Sequence, residues 1–237
     1  MQQHSDPMGQ AIHDYHANGV AGRLRVFSPQ FDEDEIPVST LFRTYADMPP
    51  IEQEALTMAR GSILDVGAGA GCHSLALQEM GKEVKAIDLS ALSVEVMKQR
   101  GVRDAAVCDF YELQGSFDTI LMLMNGSGII GRIDNMARFF NKARQLLTEG
   151  GMILMDSTDI RYVFENEDGS LDIDLAAGYY GELEYSMQYK NIRSKPFPWL
   201  YIDFPLLRHY AAQQGFTATM VREEEYSYLC QLTKSEK

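Results

Sequence analysis

Residues 64–71 read Leu-Asp-Val-Gly-Ala-Gly-Ala-Gly, with glycine at every second position after an acid. The apolar run Ser62-Ile63-Leu64 leads into this segment, and Cys72-His73-Ser74-Leu75-Ala76-Leu77-Gln78-Glu79-Met80 leaves it with a helical pattern. The spacing predicts a strand, a tight turn and a helix start. Glycine admits positive φ and has no Cβ to keep a ligand away from the backbone. The helix start offers unpaired N–H groups and the positive end of its dipole. Such a turn is a cradle for a nucleotide-like molecule, and the identity of that molecule decides the function.

A dinucleotide fold asks for Gly-x-Gly-x-x-Gly. Gly67 and Gly69 supply the first two glycines, but Cys72 stands in the third slot and Gly71 comes one residue early. The motif Asp-Val-Gly-Ala-Gly-Ala-Gly resembles instead the first motif of class I S-adenosylmethionine-dependent methyltransferases. The resemblance implies that Asp65, Gly67, Ala68, Gly69 and Gly71 hold the methionine part of the cofactor S-adenosyl-L-methionine.

Further motifs follow in order. Asp88 closes the apolar run Val84–Ile87 and lies 21 residues beyond Gly67. A carboxylate there can accept both ribose hydroxyls at once. Dinucleotide enzymes share this spacing, so it supports adenosine binding without choosing the cofactor. Leu89 follows it, and Ser90 is the better helix cap. The family resemblance implies that Asp109 reads the adenine amino group, with Phe110 as an apolar wall. It also implies that the strand end at Met124 and Asn125 faces the sulfonium, with backbone carbonyls near Met124 holding the methionine amino group. Asn125-Gly126 departs from the Asn/Asp-Pro-Pro-Tyr/Phe signature of amino-group methylation on DNA or protein glutamine.

Beyond residue 61, short apolar runs at 62–66, 84–89, 105–108, 118–124 and 151–156 alternate with helical or loop segments. Alternation of this kind predicts a parallel sheet with right-handed crossovers. Ile133, Met136, Phe140, Ala143 and Leu147 form one helical stripe, stopped by Gly150-Gly151. Residues 181–190 alternate as a strand, and 197–202 pair with it across 191–195, giving an inserted β arm at about 157–202. Phe204–Gln214 reads as a helix, and 217–222 with 226–233 as a closing hairpin. Residues 1–60 look helical, with no β periodicity, and Phe31–Glu35 reads as a solvated acidic loop. The expected fold is α/β: a Rossmann-like, seven-stranded, mainly parallel sheet with helices on both faces and an antiparallel last strand. An N-terminal helical cap at 1–50 precedes a methyltransferase domain at 51–237.

Acids outnumber bases 34 to 21, for a net charge of −13. The average field repels polyanions, and no basic cluster offsets it, so no nucleic-acid partner is expected. A small-molecule acceptor fits better. No run of 18 apolar residues predicts a membrane span. The N-terminus, from Met1 to Pro7, lacks a signal-peptide pattern. The three cysteines are widely spaced, as in reduced thiols, and no zinc spacing occurs. A cytoplasmic monomer or homodimer without a metal is expected. His13 and His16 read as a solvated polar face. Arg43 is a candidate for the cofactor carboxylate or an anionic acceptor; Tyr45 and Trp199 are candidates for the acceptor pocket. No acid/base pair stands out, so no catalytic residue is named. Two alternatives remain open: a non-catalytic protein that senses S-adenosylmethionine or its demethylated product, and a nicotinamide-dependent oxidoreductase.

Overall fold

A computed structural model describes residues 5–166, 168–173 and 178–235. Residues 1–4, which begin the stretch read for a signal peptide, lie outside it. So do residue 167 and residues 174–177, within the inserted arm expected at about 157–202.

In chain order the elements are α1 (Pro7–Asn18), β1 (Leu24–Ser28), β2 (Phe31–Ile36), α2 (Pro50–Met58), β3 (Ser62–Val66), α3 (Cys72–Glu79), β4 (Glu83–Asp88) and α4 (Ala91–Arg100). Then come β5 (Asp104–Val107), β6 (Phe117–Met122), α5 (Met136–Leu146), β7 (Leu147–Thr158), β8 (Glu182–Tyr189), β9 (Ile192–Arg193) and β10 (Phe197–Leu200). The chain closes with α6 (Phe204–Gln213), β11 (Phe216–Glu224) and β12 (Ser227–Lys234).

Seven strands form the main sheet in the order β11-β12-β7-β6-β3-β4-β5. Strands β3 to β7 pair in parallel, and β12 inserts antiparallel between β7 and β11. Its two faces are covered by separate apolar clusters. One contains Ile120, Phe139, Phe140, Ile153 and Leu207. The other contains Ala55, Leu56, Ile63, Leu77 and Leu154. Parallel strands buried on both faces explain why the runs at 62–66 and 152–155 are almost continuously apolar. Gly150-Gly151 does not stop a helix before the strand. The helix α5 runs directly into β7, and the register jumps from Phe117↔Leu147 to Thr119↔Met152, so the glycines lie in a bulge.

The N-terminal region departs from the helical expectation. The helix α1 is present, with Asp6 accepting from the Gly9 N–H at 2.7 Å. Residues 24–36, however, form a hairpin, and the acidic stretch from Phe31 is strand β2 rather than a loop. Strand β1 then pairs with β8, and β8 with β10, so the hairpin and the inserted arm form one second sheet in the order β10-β8-β1-β2. Local propensity disfavours β2, since Asp and Glu are poor strand formers. Partners compensate: Arg25 pairs with Glu33 and Arg23 with Glu35, each across the hairpin.

Contacts with the main domain fix this second sheet over the carboxyl ends of the parallel strands. Helix α1 packs on α4 and on β8. Its first turn reaches Ser90, whose hydroxyl donates to Asp6 at 2.5 Å. A Cβ on Gly9 would lie 2.2 Å from the Ser90 Oγ, so glycine is what permits this approach. A Cβ on Gly128 would lie 1.9 Å from the Trp199 ring, which locks β10 onto the loop after β6.

Candidate functional site

The glycine loop opens at the carboxyl end of β3, and its three glycines do different work. Gly67, Gly69 and Gly71 all have positive φ, at 71°, 56° and 81°. A Cβ on Gly71 would sit 2.9 Å from Met97 and from Val102, so this glycine serves the packing of the loop on α4. A Cβ on Gly69 would meet nothing within 4 Å. The space that a side chain would fill there is open, which is what a closely approaching ligand needs.

Asp65 is buried beneath the loop, and the Ser74 hydroxyl donates to it at 2.6 Å. Burial raises its pKa. Asp88, at the tip of β4, accepts from the Gly69 N–H at 2.9 Å and the Ser90 N–H at 2.8 Å. Burial raises it to about 6 despite those two bonds. A carboxylate has about four lone-pair sites, so acceptors remain for two ribose hydroxyls. Beside it the apolar side chain of Leu89 is 73% exposed. Asp109 accepts from the Tyr111 N–H through one oxygen at 2.8 Å and is exposed.

Phe110 does not form the apolar wall expected of it. Its side chain is 3% exposed and packs against Tyr111 and Phe139 in the main core. Open apolar surface beside the two acids comes from Leu89 and from Val107, which pairs in register with Asp88. Phe110 is turned inward because the short helical turn after Asp109 faces the α5 stripe.

After β6 the backbone takes an unusual course. Met124 and Asn125 both have positive φ, at 66° and 56°, two consecutive non-glycine residues in the left-handed region. Such strain of order 1–3 kcal/mol per residue persists only where the surroundings hold it. Asp156, at the end of β7, supplies that hold. It accepts from the Gly126 N–H at 3.0 Å, and Thr158 donates to the Asn125 side chain at 2.8 Å. Burial raises Asp156 to about 6. Asp156 was not among the residues singled out from sequence, although Met152-Ile153-Leu154-Met155-Asp156 repeats the pattern of an apolar run closed by an acid. Met124 packs with Ile12, Leu41 and Ala70, which brings α1 and the segment after it over the loop.

Arg43 is bound into a buried chain of polar groups. Its guanidinium pairs with Glu52 and donates to the Thr40 carbonyl, and the Glu52 carboxylate meets His73 Nε2 at 2.8 Å. Burial pushes the Glu52 pKa up, but His73 and Arg43 outweigh it and hold it below the usual value. His73 therefore supports rather than contacts the site. Arg43 Nε is buried without a partner among the described residues, and the Arg43 charge lies close enough to act on Cys72 at the start of α3. Arg100 ties the same segment to the loop, donating to the Ala70 carbonyl at 2.5 Å. Glu52 carries no motif in the sequence; only the fold brings α2 beside α3.

Tyr45 packs beside the start of α3. Its hydroxyl lies 3.4 Å from that of Thr57, and its ring packs against the apolar cluster that joins α2 to Cys72 and Ala76 of α3. Trp199 stands against Gly128, just beyond Asn125.

The residues fit one molecule part by part. Asp88 suits a ribose, Leu89 and Asp109 suit a base with an amino group, and the open face of Gly69 with the orphaned Arg43 Nε suits an amino-acid tail. Comparison with known proteins agrees. Residues 64–155 match the methyltransferase domain family. A crystal structure of an S-adenosylmethionine-dependent methyltransferase from Bacteroides fragilis, in complex with S-adenosyl-L-homocysteine, is 60% identical. That likeness covers 98% of this chain and 96% of the other, with a TM-score of 0.92. The chain belongs to the S-adenosylmethionine-dependent methyltransferases. Its cofactor is S-adenosyl-L-methionine, which disposes of the nicotinamide alternative. Cypemycin N-terminal methyltransferase from a Streptomyces species is 32% identical over 103 residues. That match spans 41% of this chain and 42% of the relative. The CcbJ methyltransferase from Streptomyces caelestis shares the fold at 14% identity, with a TM-score of 0.66 over 98% of this chain and 99% of that one. Among the described residues, no helix is long and apolar enough to cross a membrane.

Proposed function

We propose that this methyltransferase acts on a small-molecule acceptor held between the carboxyl edge of the main sheet and the second sheet. The observation that carries the reading is the second sheet itself. Two chain segments outside the cofactor motifs join over the strand ends and are locked there by Trp199 on Gly128. A roof of this kind excludes water and restricts access, which suits a compact acceptor. The net charge of −13 weighs against a nucleic acid.

S-adenosylmethionine supplies an electrophilic methyl group on a sulfonium; an acceptor lone pair bonds to that carbon as the carbon–sulfur bond breaks. The chain's own residues bind and align. In this reading Asp88 accepts from both ribose hydroxyls, Asp109 accepts from the adenine amino group and Leu89 covers one face of the base. Gly67, Ala68, Gly69 and Gly71 give the tail a backbone surface. Arg43, held by Glu52, offers Nε to its carboxylate. The carbonyls around Met124 and Asn125 accept from its amino group. Trp199 walls the acceptor side. Alignment and dehydration are sufficient for a displacement of this kind and need no dedicated acid/base pair.

The test is transfer of a labelled methyl group into fractions of a cell extract. Label should enter the fraction below about 1 kDa. Label confined to protein or nucleic acid would overturn the small-molecule reading.

A further inference from the structure

The inner face of the second sheet is an aromatic box with one uncompensated carboxylate. Residues in antiparallel register share a face. The pairs Val26↔Asp34, Tyr185↔Phe197 and Leu183↔Trp199 therefore present their side chains in matching directions. Val26, Leu183 and Tyr185 are buried in one cluster with Ile160, joined by Phe31, Tyr180, Trp199 and Tyr201. The Trp199 ring stacks on Tyr185 at 6.3 Å, Tyr201 meets Tyr185 edge-on at 6.3 Å, and Phe31 does so at 5.6 Å. The Tyr185 hydroxyl donates to the Tyr201 hydroxyl at 3.0 Å.

This box adjoins the reacting end of the cofactor site. Trp199 rests on Gly128 in the loop after Asn125. Tyr201 is half-buried, and loss of solvent together with the fields of Tyr162, Asp34 and Asp156 raises its pKa. Asp156 is the residue that holds the Asn125–Gly126 turn.

The charges in the box are one-sided. Asp159 is neutralised by Arg161 at 3.0 Å. Asp156 is held by backbone N–H groups, and Asp203 caps α6 while accepting from Tyr179. Asp34 is different. Its one hydrogen bond among the described residues is from the Glu35 N–H at 2.7 Å, and it takes part in no ion pair there. Its neighbours Glu33 and Glu35, on the opposite face of β2, are both paired with arginine. Asp34 shares the sheet face of Tyr185, and its field reaches Tyr185 and Tyr201. An exposed carboxylate and phenol and indole rings on one face attract an organic cation through charge and through the ring faces.

We propose, building on the small-molecule reading above, that the box takes an acceptor amine in its ammonium form, with Asp34 as counter-ion and Trp199, Tyr185 and Tyr201 as the walls. Methylation requires the neutral amine. One N–H bond therefore breaks before transfer, its electron pair staying on nitrogen and its proton passing to the Asp34 carboxylate and on to water.

Trp199 is the chain's single tryptophan, so its fluorescence reports on the box directly. The full chain saturated with S-adenosylhomocysteine is titrated with benzyltrimethylammonium and with neopentylbenzene, its uncharged isostere. The cation should bind at least about tenfold more tightly, the scale of a cation held by rings and a carboxylate. Asp34→Asn should bring the two ligands close to parity, while Glu33→Gln, on the opposite face, should keep the preference. Calorimetry should find S-adenosylhomocysteine bound equally by both variants. Equal binding of the two probes by the unaltered chain, or an intact preference in Asp34→Asn, would overturn the proposal. The preference is read without turnover, so label in a macromolecular fraction would defeat the small-molecule reading alone.

Discussion

The two sheets are drawn from the chain in opposite ways. The main sheet takes its five parallel strands from one stretch, Ser62 to Thr158, in which helices follow β3 and β4 and precede β7, and a helix-free turn joins β5 to β6. The second sheet sews residues 24–36 to residues 182–200, with the whole parallel core lying between them in sequence. The first carries the glycine loop and the strand-end acids that we propose hold the cofactor. The second holds no nucleotide motif and supplies rings. On the proposed reading most of the cofactor side is built locally, with Arg43 added from the N-terminal segment, while the acceptor side is built from distant segments joined only by folding.

The largest effect should come from Gly69→Val. Its φ of 56° and the open space around it put a branched side chain both in strain and in the ligand's place. Calorimetry should find S-adenosylhomocysteine affinity reduced by more than about 100-fold, roughly 2.7 kcal/mol or more. A folded variant with unchanged affinity would remove the loop from the cofactor site.

Asp88→Asn should weaken the same ligand by about 1.5–3 kcal/mol, the range for hydrogen bonds to a charged acceptor. The pH dependence follows from its raised value of about 6. The ionised form accepts from ribose, so affinity should be full above that value and fall as pH drops through it. For stability the sign is reversed: ionising a buried carboxylate costs folding energy, so its contribution is fully present below the ordinary carboxylate value and is lost as pH rises through about 6. Measured between pH 5 and 8, the variant should show a flatter affinity profile. An equally steep profile would move the titration to another group.

Gly128→Ala probes the seam between the sheets. Its Cβ would press on the Trp199 ring at 1.9 Å, and overpacking of this kind typically costs about 1–3 kcal/mol. Trp199 fluorescence should shift toward the solvent-exposed range, with S-adenosylhomocysteine affinity changed far less than in Gly69→Val. Loss of cofactor binding to the same degree would show that the two regions are not separable.

The smallest effect should appear in hydrogen exchange. Adding S-adenosylhomocysteine should protect the glycine loop strongly, and 38–46 with 179–201 more weakly, as the roof settles over an occupied site. Protection confined to the loop and to Asp88 would make the second sheet a rigid cover.

By itself the sequence determined the parallel core and the places of the glycine loop and the strand-end acids within it. Glycine conformation, apolar runs and the acids that close them are local properties, and Asp65, Gly69, Asp88 and Asp109 stand where that pattern placed them. The acid closing the run at Met152–Met155 could have been read by the same rule. Tertiary structure decided what depends on pairing at long range. Residues 31–36 are too acidic to announce a strand, and become one because β1 and two arginines satisfy them. Phe110 turned into the core because α5 offered aromatic rings there, leaving Leu89 open. Glu52 gained its role only when α2 came to lie beside Arg43 and His73. A buried or paired polar side chain is defined by its neighbours, and those neighbours are far away in the sequence.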